Sequence, residues 1–364
     1  MTGLTIPFVG IKKQYNNLRQ EILDVTDEVL RSGLLLNGNY TAEFENWLAK
    51  KNGQRYAVTC HSGTQALEML ALYLFQQASS LHAQPTILIP SLTYVASANA
   101  FANAGWHIVF ADVDRYGIIN ANTKDLASVN AVLLIGLYGA AIANCMDRKE
   151  FSLSNSVICL EDGAQHWLSD NCRRSGLATA ISFDPTKNLA NFGNGGAIVT
   201  NDFDLFNFVS DYKNNGKLNA VRVAGTNSKM SEIDCAQMMV KCHYLDQWQE
   251  RRKKIAVHWL DRLKVSDVRP LIDSSNLATH CFHKFVVELN DRDSVQAKLA
   301  AKKIQTKIHY EQPVHEQGLY QAFAGPGFLN NSSALSRRVL SLPLYAELSD
   351  LEVEYVIDSL LDCV

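Results

Sequence analysis

The sequence predicts a three-layer α/β domain on a mostly parallel sheet, followed by a smaller C-terminal α+β domain. Short apolar runs alternate with longer amphipathic ones over most of the chain, the pattern of strands buried between layers of helices. A long charged stretch with helical apolar spacing then precedes a segment that again reads as strands. The length, 364 residues, exceeds one typical domain and leaves room for a large core with a second, smaller one.

Taken in order, Val58-Thr-Cys60 reads as a short strand that passes through His61-Ser62-Gly63-Thr64 into a helix with Leu67, Leu70, Ala71 and Leu74 on one face. Pro85 to Pro90 is the next strand, broken at Ser91-Leu-Thr-Tyr94 before another helix. Ile108 to Val113, Ala131 to Leu137, Val157 to Leu160 and Ala197 to Thr200 complete the sheet. Met230 through Lys254 has the spacing of one extended helix leaving the large domain. Beyond it, Arg269 to Asn290 and Lys303 to His309 are expected as strands of the smaller domain, so the chain divides into residues 1–245 and 246–364.

Composition narrows the function. Hydrophobic residues make up 47% and charged residues 20%, the balance of a globular chain, and no internal repeat or low-complexity segment occurs. The net charge of -3 (34 basic against 37 acidic residues) gives no electrostatic basis for binding nucleic acid or an anionic membrane. Eight cysteines, Cys60, Cys145, Cys159, Cys172, Cys235, Cys242, Cys281 and Cys363, are scattered without a Cys-x-x-Cys pair. They are expected as reduced thiols of a cytoplasmic protein with no metal site, and neither a signal pattern nor a membrane-length apolar stretch is present.

The chemistry concentrates around Ser182-Phe-Asp-Pro-Thr-Lys187, which is followed by the turn Gly193-Asn-Gly-Gly196. A lysine amine attacks a carbonyl only when neutral, so it needs a lowered pKa or an aldehyde cofactor that holds it as an imine. Pyridoxal 5'-phosphate is such a cofactor. Upstream, a strand ends in Glu161-Asp162, and a carboxylate at a strand end is what a pyridinium nitrogen needs to keep its proton. Gly63 and Thr64 open a helix, where free N–H groups and the helix dipole favour a phosphate. Tyr94 sits where an aromatic ring can stack on a flat cofactor. Each has a plainer reading by itself: a solvated loop lysine, a turn carboxylate, an ordinary helix cap and an aromatic at a domain seam.

In this order the elements resemble the nucleotide-sugar aminotransferases of the DegT/StrS family. The resemblance runs from Ile6-Pro7-Phe8 and Asn37-Gly38 through Pro90-Ser-Leu-Thr-Tyr94, Glu161-Asp162-Gly-Ala-Gln165, Ser182 to Lys187 and Lys213-Asn214-Asn-Gly216. It continues in Asn227-Ser-Lys-Met230, Ile308-His309-Tyr310 and Ser341-Leu-Pro-Leu344. It implies the fold type I of pyridoxal-phosphate-dependent transferases, with Lys187 carrying the cofactor and shuttling the proton and Asp162 pairing with the ring nitrogen. Gln165 is implied as donor to the phenolic oxygen, Gly63, Thr64 and Ser182 as phosphate ligands, and Tyr94 as cover for one ring face. Asn214 matches an asparagine that reaches the phosphate of the neighbouring subunit, which implies a homodimer with shared sites; its plainer reading is a surface turn.

The implied reaction moves an amino group from L-glutamate to a keto sugar linked to a nucleotide diphosphate. His309 and His315 stand six positions apart, as in family members acting on 3-keto sugars, so a 3-keto-6-deoxyhexose on thymidine diphosphate is expected, with a 4-keto sugar as the alternative. His309 and Tyr310 would line the sugar pocket; a histidine at a strand end is otherwise structural, the more so at His315. Family members that dehydrate C3 replace the lysine with histidine, and a regulatory relative would be expected to lose Lys187 or Asp162; both residues stand here. The chain departs from the family at Asp184, where many members carry Tyr or His, at Gly163 in place of Ala and at Lys213 in place of Arg.

Overall fold

The computed structural model describes residues 4–78, 84–120, 126, 128–142, 157–169, 176–217, 224–272, 277–323 and 329–364. Cys145 and Cys172 lie outside them; the six other cysteines are all buried, and no disulfide joins any two of them. Among the described residues no helix is long and apolar enough to cross a membrane.

An eight-stranded sheet forms the large core. In chain order its strands are β1 (Tyr56–Cys60), β2 (Thr86–Pro90), β3 (His107–Val113), β4 (Ile119–Asn120), β5 (Ala131–Ile135), β6 (Ile158–Asp162), β7 (Ala178–Ser182) and β8 (Gly196–Thr200). Their spatial order is β1-β8-β7-β6-β5-β2-β3-β4. The five central strands, β7, β6, β5, β2 and β3, are parallel, whereas β8 runs antiparallel to both its neighbours. Successive side chains point to opposite faces, and both faces are covered. Ile87, Ile89, Leu133 and Ile135 pack under α3 (Gly63–Ala78), α4 (Ala96–Asn103) and α5 (Phe203–Tyr212). Leu88, Val132 and Leu134 face the other way, toward Val286 and Val339 of the C-terminal half.

Besides the short edge strand β4, which was not expected, two departures from expectation bear on the site. The strand expected at Val157–Leu160 runs to Asp162, so the carboxylate is its last residue. Strand β7 was not expected at all: Ala178-Thr-Ala-Ile-Ser182 is too poor in large apolar residues to register, yet every residue of it is buried.

The helix expected over Met230–Lys254 is in fact two, α6 (Glu232–Cys242) and α7 (Leu245–Leu263). At the junction the N–H groups of His243 and Tyr244 reach back only three residues, to Val240 and Lys241, which tightens and ends the first helix. No Pro or Gly marks the break. It redirects the chain between two cores: Cys235 and Met238 pack with Phe44 and Leu48, while Ile255 and Trp259 pack with Phe285 and Val356.

The second core is built on a three-stranded antiparallel sheet, β9 (Arg269–Pro270), β10 (Phe285–Glu288) and β11 (Val339–Leu342), in the order β11-β10-β9. The strand expected over Arg269–Asn290 is therefore two short pieces. Lys303–His309 forms no strand; it touches extended neighbours only through single bridges, Ile304 to Ile6 and Lys307 to Ser341. The N-terminal Ile6 is thereby buried in the C-terminal core.

Helix α2 (Asn39–Lys51) starts without a side-chain cap of its own. Its acceptor comes from α6 instead. The buried Glu232 carboxylate accepts from the N–H groups of Gly38, Tyr40 and Thr41, at 2.9, 2.6 and 3.2 Å, and from the Thr41 hydroxyl. An anion at a helix N-terminus is favoured by the dipole as well. Glu232→Ala leaves those donors without an acceptor and is expected to cost on the order of 3 kcal/mol of stability, read by denaturant unfolding. An unchanged unfolding midpoint would mean that water replaces the carboxylate.

Candidate active site

The site lies at one edge of the sheet because parallel strands deliver their carboxyl ends together. Asp162 ends β6 and Ser182 ends β7; β1, two strands over from β7, runs in the same direction and delivers Ser62-Gly63-Thr64 to that edge. The reversed strand β8 begins there, so Asn194 and Gly195 arrive at the same place. Together they enclose a cavity of about 420 Å³ whose wall includes Gly63, Thr64, Tyr94, Asp162, Gln165, Ser182, Lys187, His309 and Tyr310.

Close backbone approach shapes the cavity floor. A Cβ on Gly63 would lie 2.7 Å from the Ser182 Cβ, and one on Gly196 would lie 2.3 Å from the Ser62 carbonyl carbon. Ser62 caps the Gln65 N–H at 3.1 Å, which leaves the first N–H groups of α3, at Gly63 and Thr64, without an intrahelical acceptor. The same turn is thus both a helix cap and an open anion cradle.

The alternation of strand β6 separates its two acids. Asp162 faces the cavity, where one oxygen accepts from Ser97 Oγ at 2.7 Å and the other from the Ala164 N–H at 3.1 Å. Glu161 faces away and accepts from Thr179 Oγ1 at 3.0 Å. Gln165 is fixed by the Tyr138 N–H, which donates to its Oε1 at 2.8 Å, so that Nε2 points at the Tyr310 hydroxyl, 3.0 Å away.

Lys187 follows a tight turn in which Asp184 Oδ1 accepts from the N–H and hydroxyl of Thr186, at 2.9 and 2.6 Å. Among the described residues its amine makes no hydrogen bond or ion pair. Burial lowers its pKa below the ordinary lysine value, while the charges of Asp162 and Asp184 act in the opposite sense. Burial raises the Asp184 carboxyl, but the Thr186 bonds and the charges of Lys187 and Lys284 outweigh it and hold it below the usual range.

His309 stacks on Phe8, with ring centroids 5.7 Å apart, and its Nδ1 lies 2.8 Å from Ser341 Oγ. Burial and the nearby Lys284, Lys187 and Lys307 push its pKa down to about 3, so the imidazole is neutral at physiological pH. Tyr94 is exposed at the rim, its ring 5.9 Å from that of Tyr310. His315 is bound to Ser91 Oγ, and it does not line the cavity. Neither does Asn214, which within one chain accepts from Asn37 Nδ2 at 3.2 Å and donates to the Ser210 carbonyl. Lys213, in place of the commoner Arg, ties Glu45 to the Thr59 carbonyl at the end of β1.

Sequence reasoning missed three residues in the wall: His283, Lys284 and Lys307. They belong to the C-terminal half: His283 and Lys284 open a run, His283-Lys-Phe-Val-Val287, that reads only as a strand, and Lys307 lies in Lys303–His309, also expected as a strand.

Comparison with known proteins now places the chain. Residues 16–361 match the model of the DegT/DnrJ/EryC1/StrS aminotransferase family. The chain is 31% identical over 368 residues to the dTDP-3-amino-3,4,6-trideoxy-alpha-D-glucose transaminase of Streptomyces venezuelae, covering 97% of this chain and 95% of that one. It is 30% identical over 369 residues to the dTDP-3-amino-3,6-dideoxy-alpha-D-galactopyranose transaminase of Aneurinibacillus thermoaerophilus, covering 97% and 98%. The crystal structure of S. venezuelae DesV in complex with a ketimine intermediate superposes with a TM-score of 0.86 at 29% identity, covering 98% of both chains.

Fold and site define a pyridoxal 5'-phosphate-dependent aminotransferase of fold type I. Within that class the chain belongs to the DegT/DnrJ/EryC1/StrS aminotransferase family, that of the nucleotide-sugar transaminases. The residues present fit the cofactor: an unengaged amine, a carboxylate on the cavity wall, and open N–H groups beside a serine hydroxyl.

Because Asp184 raises the Lys187 pKa and burial lowers it from 10.5, removing the Asp184 charge must lower it further. In cofactor-free protein, acylation of Lys187 by an uncharged reagent, mapped by mass spectrometry, is expected to have its midpoint below 10.5, and Asp184→Asn to move it to still lower pH. A shift to higher pH would show that the Asp184 charge is not felt at the amine.

Proposed function

We propose that this protein transfers an amino group from L-glutamate to C3 of a thymidine-diphosphate-linked 3-keto-6-deoxyhexose. The observation that carries this reading is the unengaged, partly buried amine of Lys187 facing a cavity that also holds Asp162. The C3 assignment draws on the His309 to His315 spacing and on the two relatives, both of which are named for 3-amino sugars.

When bound, the cofactor supplies an electron sink for the carbon that loses its proton. Asp162, kept in place by Ser97 and the Ala164 N–H, would hold the ring nitrogen protonated. Gln165 has a second amide hydrogen beyond the one given to Tyr310, which it would donate to the phenolic oxygen of the cofactor. The N–H groups of Gly63 and Thr64 and the Ser182 hydroxyl would hold the phosphate, and Tyr94 would cover one face. Lys187 would carry the cofactor and, with its amine free, would take the proton from Cα of glutamate. In the second half-reaction it returns a proton to the sugar carbon that has received nitrogen. His309, neutral, and Tyr310 line the sugar pocket. Asn214 would reach the cofactor phosphate of the partner subunit, so that two chains would complete each site.

Thymidine- and uridine-diphosphate keto sugars, offered with glutamate and followed by release of 2-oxoglutarate, test the substrate. A preference for 4-keto sugars would overturn the ring position, and no transfer to any nucleotide sugar would overturn the substrate class. Lys187→Ala is expected to abolish turnover and borohydride fixation of the cofactor. Asp162→Asn is expected to slow proton transfer about a thousandfold, a loss of roughly 4 kcal/mol.

Shared sites have their own test. Mixing Lys187→Ala with Asn214→Asp subunits loads both lesions onto one site of a mixed dimer and leaves the other whole. Activity is expected to recover toward one intact site in two; heterodimers that recover nothing would defeat the shared-site reading.

A further inference from the structure

The cavity is unevenly charged. Lys187, Lys284 and Lys307 face it, against the carboxylates Asp162 and Asp184. Asp162 is bound by Ser97 and Ala164, and Asp184 Oδ1 by Thr186. Lys307 is exposed, so water solvates its charge.

Lys284 is different. It is 5% exposed, and its Nζ donates to the carbonyl of Thr186, the residue before Lys187, at 3.1 Å. The ammonium also lies 4.9 Å from the centre of the Phe8 ring. Among the described residues no carboxylate comes within ion-pair distance of it. One carbonyl and one aromatic face are poor compensation for a buried charge, which is normally paired or driven neutral. A buried, cavity-facing ammonium that feels the Asp184 charge but makes no direct ion pair, next to the reacting amine, has the chemistry of a receptor for an anion.

We infer that Lys284 is a substrate-binding residue that receives a carboxylate, that of the amino donor next to the reacting carbon. This rests on the aminotransferase reading but not on any particular sugar. Lys187 must reach the proton on Cα of the donor, and the α-carboxylate is bonded to that same carbon; it therefore lies near Lys187 in any productive pose. A sugar diphosphate is held farther from its reacting carbon, toward the mouth, where Lys307 is exposed. Burial and the charges of Lys187, Arg252 and Lys307 drive the Lys284 pKa well down against the opposing charge of Asp184, and an arriving carboxylate adds to that opposition. A carboxylate brought by the sugar, as in a hexuronate, is the other source of the same chemistry.

The donor half-reaction contains no sugar, so it reads Lys284 independently of the sugar assignment. In the holoenzyme, loss of the cofactor's visible absorbance is followed against L-glutamate concentration for the wild type, Lys284→Met and Lys284→Arg. Lys284→Met is expected to raise the half-saturating concentration at least tenfold with a smaller change in the maximal rate, and Lys284→Arg to recover most of it. Calorimetry with maleate, a dicarboxylate that cannot react, is expected to show binding to the wild type and to Lys284→Arg but not to Lys284→Met. Retained cofactor absorbance and an unchanged melting temperature report that the variants fold. Equal glutamate saturation and equal maleate binding in wild type and Lys284→Met overturn the inference. So does an unchanged donor step with weakened binding of every nucleotide sugar, which would make Lys284 a diphosphate contact. Selective loss of hexuronate nucleotides with an unchanged donor step overturns the donor assignment and places the carboxylate on the sugar.

Discussion

The turn after β1 and the start of β8 pass so close that a single methyl group would not fit between them. At Gly196 an added Cβ would meet the Ser62 backbone, and at Gly63 it would meet Ser182. This contact sets where the N-terminus of α3 lies relative to the end of β7, and so where the Gly63 and Thr64 N–H groups point. The rest of the site is hung from that floor. Asp162 is one strand away, in register with Ala180 of β7, and Lys187 follows Ser182 through a turn that the Asp184 carboxylate closes.

Charge is the second constraint. The Lys187 amine is placed where burial disfavours its ammonium form, and two carboxylates limit how far that goes. Neighbouring cations extend the same logic to His309, which stays neutral beside three lysines. The cavity is thus rich in positive charge toward its substrates and acidic only where Asp162 and Asp184 line it.

The two cores meet at this cavity. α7 starts at Leu245 after the break at His243 and Tyr244 and carries the chain into the second core, from which β10 presents His283 and Lys284 at its leading end. The N-terminal segment returns the connection: Ile6 packs in that core, and Phe8, two residues on, lies against His309 and under Lys284. A wall built from residues 8, 283, 284 and 309 therefore depends on contacts between the ends of the chain.

What the sequence determined by itself was local chemistry. Ser62-Gly63-Thr64 before an apolar helix, a strand leading into Glu161-Asp162, and Lys187 ahead of a glycine turn are legible as candidates through backbone and residue type. The alternation of apolar runs likewise announced most strands of the sheet. It did not announce β7, whose small residues are buried because neighbours cover them, nor the break between α6 and α7, which no Gly or Pro marks and which follows from the two cores each helix serves. Only the tertiary structure decided that Asp162 and not Glu161 faces the cavity among residues it shares with Lys187, and only it revealed Lys284. Buried charge is a property of surroundings: Lys284 is one residue in an apolar run until Phe8 and Thr186, each about a hundred or more positions away, close over it.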